Sequence, residues 1–141
     1  MYFADEAILC TNPELSSCRD SDKMIGFIAS KSYRSENQMP PVIQRLLVTR
    51  YDANRAEKDE SLHLKDIEEL LGLPILGVIP ESKSVLAATN LGQPVIMGTC
   101  NASVAYRDMV NRFLGNSIDM KFTKPDSASN FLSRLFASGK G

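Results

Sequence analysis

Three short apolar runs restrict what this chain can fold into: Ala7-Ile-Leu-Cys10, Leu46-Leu-Val48 and Ile75-Leu-Gly-Val-Ile79. Each is too short for a helix, and each is apolar at consecutive rather than alternate positions. A strand with that pattern is buried on both faces, as strands of parallel sheets are. The spacing predicts strands over residues 5–11, 45–49 and 74–80, the first running into the turn Thr11-Asn-Pro13 and the third bounded by Pro74 and Pro80. Helical periodicity fills the intervals. From Glu14 to about Lys31, Leu15, Cys18, Ile25, Ile28 and Ala29 recur at helical spacing, with Glu14 in the first turn. Ser61 is expected to cap a helix through Leu64, Ile67, Leu70 and Leu71 that ends at Gly72. A short helix is expected over 84–89. The last begins at Asn101 or Ser103, with Val104, Met109, Val110, Phe113 and Leu114 inward. Residues 32–41 and 50–60 read as polar loops. Strands alternating with helices give an α/β layer architecture with right-handed parallel crossovers. Three such strands want further neighbours, so the pattern reads as half of a larger sheet.

The C-terminal part follows a different logic. Residues 116–129, rich in Ser, Asp, Lys and Asn, read as a flexible linker after a body spanning 1–115. In the final segment, 130–141, Phe131, Leu132, Leu135 and Phe136 would share one face of a helix, with Arg134 near its rim. A helix that short is marginal alone in water. The segment is therefore expected to order only on a surface, either lipid or a partner's groove. Burying its four large residues could contribute about 6–12 kcal/mol. Ordering some eight residues at ~1–2 kcal/mol each offsets much of that, so binding through one segment is expected to be weak and reversible. Residues 116–141 carry a charge of +2 against −3 for the remainder, a polarity that anionic lipid favours.

Other classes of function recede. A net charge of −1 argues against broad nucleic-acid binding. No apolar run approaches the ~20 residues of a spanning helix, and the opening residues lack the basic and apolar regions of a signal peptide. Cys10, Cys18 and Cys100 have no metal-ligand spacing; they are expected to be buried free thiols, as suits a reducing cytoplasm. His63, the single histidine, sits between leucines without ligand partners at metal spacing. No metal site and no catalytic residue is assigned.

Tyr2-Phe-Ala-Asp-Glu-Ala7, Thr11-Asn-Pro-Glu-Leu-Ser-Ser17, Arg19-Asp-Ser-Asp22, Leu46-Leu-Val-Thr-Arg-Tyr51, Gly77-Val-Ile-Pro-Glu81, Ser84-Val-Leu86, Gly92-Gln-Pro-Val-Ile96 and Phe131-Leu-Ser-Arg-Leu-Phe136 occur in that order. Together they resemble the C-terminal half of the MinD family of bacterial cell-division ATPases, in the deviant Walker A MinD/ParA class. The resemblance implies the C-terminal half of a doubly wound P-loop-type domain, mostly parallel sheet with flanking helices, plus an amphipathic membrane-targeting helix. It implies a septum-site-determining protein that binds ATP and Mg, dimerises, recruits MinC, responds to MinE, and sits in the cytoplasm peripherally on the inner face of the membrane. With the tail matched as well, anionic membrane lipid becomes the expected surface for Phe131, Leu132, Arg134, Leu135 and Phe136.

By the same resemblance, Thr49 and Arg50 lie beside the nucleotide base, and Pro80 and Glu81 present backbone groups to it. Ser82 stands where the family often has an aspartate. Glu14, Ser16, Asp20 and Asp22 form an acidic face at the start of the first helix, and the resemblance places it near the surface that MinC and MinE bind. Phosphoryl transfer needs a Gly-rich loop with a lysine and a hydroxyl. The one Gly-Lys cluster, Ser138-Gly-Lys-Gly141, reads as a solvated tail. The chain is accordingly expected to be a truncated product or part of a longer one, and not to hydrolyse ATP alone. The rival expectations are a non-enzymatic membrane-tethered interaction module and a related ParA-class fragment.

Overall fold

A computed structural model of the chain describes residues 1–125. The tail residues Phe131, Leu132, Arg134, Leu135 and Phe136 lie outside them. Strands β1 (Glu6–Thr11), β2 (Ile43–Tyr51) and β3 (Ile75–Pro80) form one parallel sheet in the order β1-β2-β3. Helices α1 (Leu15–Lys31), α2 (Tyr33–Glu36), α3 (Ala53–Glu57), α4 (Leu64–Leu71), α5 (Lys83–Asn90) and α6 (Asn101–Phe113) connect and flank it, with a 3-10 turn at Val95–Met97. The expected α/β parallel architecture is what the chain forms.

The middle strand β2 carries the core. Leu46 and Val48 are fully buried on one side with Cys18 and Ile28 of α1, Ile67 and Leu71 of α4, Leu9 of β1 and Val78 of β3. Leu47 faces the other side, with Ile79 and the small α6 residues Ala102 and Ala105. Consecutive apolar residues in β2 thus serve two separate packing layers, which explains why the run does not alternate. On the α6 side the helix approaches so closely that Gly77 has no room for a side chain. A Cβ there would lie 2.8 Å from Met109 Cγ and 2.9 Å from Met109 Cβ.

Several local expectations are corrected. Residues 32–41 are not all loop: Ser32 Oγ accepts from the Ser35 N–H and starts the single turn α2. Residues 50–60 contain α3, capped by Asp52, whose carboxylate accepts from the N–H groups of Asn54 and Arg55. β2 extends through Arg50 and Tyr51. Helix α4 starts after His63 rather than under a Ser61 cap, while Gly72 ends it at φ +63 as anticipated. Glu14 is the residue before α1, not part of its first turn, and makes no capping bond. Leu15 and Ala29 are exposed; the inward stripe of α1 is Cys18, Ser21, Ile25 and Ile28. In α6 the inward residues are Ala102, Ser103 and Ala105 with Met109, whereas Val110, Phe113 and Leu114 face out. Large apolar residues do not mark the buried face here, because close helix–sheet approach selects small ones.

Cys10 is exposed, Cys18 buried and Cys100 half-buried, so only one thiol matches the expectation of burial. The reason lies in the edge. β1 has a neighbour on one side only among the described residues, and its outer-facing Ile8 is exposed with Cys10. Ile43 of β2 is exposed as well. The segment expected as a flexible linker over 116–129 also begins differently. Its stretch 118–122 lies against α6, where Arg112 donates to the carbonyls of Ile118 and Asp119.

Substituting Gly77→Ala forces α6 off β3. It is expected to cost about 1–3 kcal/mol, seen as a lower urea midpoint, while Gly26→Ala, which meets open space on an exposed helix face, leaves the midpoint equal or higher.

Candidate functional site

Doubly wound sheets place ligands beyond the carboxyl ends of their strands. In this chain those ends carry Thr11, Thr49-Arg50-Tyr51 and Pro80-Glu81. A cleft of about 370 Å³ opens between β2, β3, α5 and α6. Thr49, Arg50, Pro80, Glu81 and Ser82 form its polar rim, and Ile79, Val85, Leu86, Thr89 and Tyr106 complete its lining. The four residues singled out as nucleotide-adjacent therefore converge on one cleft, although they come from two strands that are far apart in sequence.

Their polar groups are largely engaged with one another. The Thr49 hydroxyl donates to the Thr11 carbonyl at 3.2 Å, tying β2 to β1. Arg50 Nε donates to Glu81 Oε2 at 2.9 Å, bridging the ends of β2 and β3. The pair raises the Arg50 guanidinium further above its usual range, the hydrogen bond to Glu81 being the main cause. The Glu81 N–H donates to the Tyr51 carbonyl at 2.9 Å. That bond commits the Glu81 N–H to the sheet, and Pro80 has no N–H, so the backbone groups these two residues could present to a base are their carbonyls.

The bulge beneath this pair gave no sign of itself in the residue pattern. The β2–β3 register shifts between Val48 and Tyr51, and Arg50 sits at φ +56. A left-handed conformation is costly for any residue with a Cβ. Here it swings Arg50 out of the ladder toward Glu81, and bulges of this kind re-aim side chains beside functional sites.

The acidic residues of the first helix do not form one face. Ser16 and Asp20 lie roughly 40° apart around α1, while Asp22 lies about 160° from Asp20. Asp20 lines a groove of about 520 Å³ between β1 and α1, along with Ile8, Leu9 and Met24, and pairs with Lys23 at 2.9 Å. Glu14 lines a different depression, beside Asp59, His63 and Asp66. Asp22 lines neither. His63 Nε2 lies 3.1 Å from Asp59 Oδ1 at the surface. Among the described residues no cluster of three or more His, Cys, Asp or Glu side chains could hold a metal ion.

With this geometry in place, the chain's likeness to known proteins can be set beside it. The chain is 51% identical over 137 residues to the septum site-determining protein MinD of Buchnera aphidicola from Schizaphis graminum, covering 96% of this chain and 50% of that protein. The MinD cell-division protein of Aquifex aeolicus superposes with a TM-score of 0.73 at 32% identity, over 84% of this chain and 47% of that one. The chain matches a MinD fragment. The MinC:MinD complex of the same organism gives the same TM-score over 46% of its chain. No protein-family model matches the sequence. The chain spans about half the length of the curated MinD relatives it matches.

Beside the cleft, Cys100 precedes α6 with its Sγ 3.1 Å from Ser103 Oγ. The Ser103 hydroxyl and backbone hold its thiol below the ordinary cysteine range, with Ser82 adding to the effect. Burial pushes the Cys18 thiol up, and desolvation raises that of Cys10 although the residue as a whole stays exposed.

Two outcomes follow from the strain and the thiol. Arg50→Gly removes the backbone penalty and is expected to raise the urea midpoint, whereas Arg50→Ala keeps the penalty, loses the Glu81 pair and lowers it. Iodoacetamide is expected to modify Cys100 first. Its rate should rise at lower pH than that of an ordinary thiol, because alkylation follows the thiolate. Ser103→Ala shifts that profile toward higher pH.

Proposed function

We propose that this chain belongs to a septum-site-determining system of the MinD type, in which a membrane-associated ATPase recruits MinC and responds to MinE. The observation that carries the reading is the identity of 51% with a septum site-determining MinD, sustained over 96% of this chain. The ordered motifs and the convergence of Thr49, Arg50, Pro80 and Glu81 support it. Within that role, this segment supplies the base-recognition side of the nucleotide site and the membrane anchor.

The cleft suits a purine. Val85, Leu86 and Tyr106 offer surface for a flat ring, and the Pro80 carbonyl and Arg50–Glu81 pair can accept or donate at its edge. It does not suit a triphosphate with Mg. The one guanidinium at the cleft is paired with Glu81, and none of the lining residues is a lysine. No hydrolytic step is therefore assigned to residues of this chain. What they do is orient a base and hold β2 and β3 in register beneath it.

Among the described residues no helix is long and apolar enough to cross a membrane. Association with lipid is assigned to Phe131, Leu132, Leu135 and Phe136, with Arg134 beside anionic headgroups. Asp20, at the rim of the β1–α1 groove, is the best placed of the four acidic-helix residues to meet a partner protein.

Co-sedimentation with vesicles containing phosphatidylglycerol tests the anchor. Phe136→Glu is expected to lower binding by about tenfold or more, given ~1.5–3 kcal/mol for one buried aromatic side chain. Unchanged binding would refute the assignment. Titration with a fluorescent ATP analogue then separates the MinD reading from a non-enzymatic tethered module. Saturable binding that Glu81→Ala weakens supports the former.

A further inference from the structure

We propose that residues 116–122 form a folded strap that fixes the root of the C-terminal segment on the body, with Arg112 and Asp108 as its positioning residues. Three independent contacts make the strap. The Arg112 guanidinium reaches in two directions: Nε donates to the Leu76 carbonyl of β3 at 2.7 Å, and Nη1 donates to the carbonyls of Ile118 and Asp119 at 3.2 and 3.3 Å. One side chain thereby joins the sheet to the strap. One turn earlier on α6, Asp108, with its side chain only 14% exposed, pairs with Lys121 at 2.8 Å. Phe122 packs into the same layer as Leu47, Ile79, Ala105 and Met109.

Phe122 also sits at φ +62, a conformation that residues other than glycine seldom adopt. It turns the chain at the point where the ring enters the core, and the packing of the ring holds it there.

The strap changes what the terminal segment can reach. From Gly115, sixteen residues of extended chain would let Phe131 range about 55 Å. From Phe122, nine residues allow about 30 Å. The strap also makes the segment leave from the α6 face, so a surface that captures the segment holds the body by that face. This consequence rests on the anchoring reading; the strap itself does not.

Tryptic cleavage of the full 141-residue chain without lipid tests the strap. In Asp108→Asn and in Phe122→Ala, cutting after Lys121 is expected to accelerate about tenfold, as local opening becomes easier. Cutting after Arg45, inside β2, should stay slow and so report that the body remains folded. Wild type cut after Lys121 as fast as both variants would overturn the proposal. Backbone ¹⁵N relaxation of the unmodified chain gives a second test that needs no variant. Order parameters near 0.85 for Ile118–Phe122 support the strap, and values below about 0.6 overturn it. Neither measurement involves vesicles, so failure of the strap and failure of the lipid anchor are told apart.

Discussion

Leu46, Leu47 and Val48 lie in the middle strand with parallel neighbours on both sides and separate packing layers above and below. Such a strand can hold only one register, because a slip by one residue would exchange its two faces. The α1–α4 layer takes Leu46 and Val48, and the α6 layer takes Leu47. Once those three residues are seated, the ends of β2 and β3 are fixed relative to each other within a residue. That is what brings Arg50 within reach of Glu81 and sets the position of the cleft.

The two layers are built by different means. Toward α1 and α4 the core is filled by large aliphatics, with Ile67 fully buried at its centre. Toward α6 it is closed by approach: Gly77 and the alanines of α6 let helix and sheet come together, and Phe122 fills the margin. The thin layer is therefore the one that couples distant parts of the chain. Tyr106 lines the cleft and packs in the same cluster as Phe122. Arg112 completes the link between β3 and the strap. The cleft and the root of the terminal segment thus share a single layer of side chains.

The three strands, the turn at Thr11-Asn-Pro13 and the stop at Gly72 were legible in the sequence, because apolar runs, proline and glycine act through local geometry. The grouping of Thr49, Arg50, Pro80 and Glu81 was legible through ordered motifs shared with MinD, while Val85, Leu86, Thr89 and Tyr106 of the same cleft were not. The inward face of α6 was not. Periodicity pointed to Val110, Phe113 and Leu114, yet these face out; the buried positions are Ala102, Ser103 and Ala105, with Met109 seated over Gly77. The acidic face of α1 failed because closeness in sequence does not put Asp20 and Asp22 on the same side of a helix. The engagement of the Glu81 N–H with the Tyr51 carbonyl was not legible either, since it joins two strand ends far apart in sequence.

By itself the sequence determined the parallel α/β plan, its likeness to MinD and the residues gathered at the strand ends. These follow from side-chain volume and backbone preference read a few residues at a time, and from motifs in order. Only the tertiary structure decided that Arg50 leaves the sheet through a left-handed bulge to meet Glu81. It alone decided that Cys10 faces out from an edge, and that a polar stretch after α6 is held down by Arg112, Asp108 and Phe122. Each depends on contacts between residues far apart along the chain. A hydrogen bond or a close approach of that kind leaves no mark in local pattern, because neither partner has to look unusual for the pair to form.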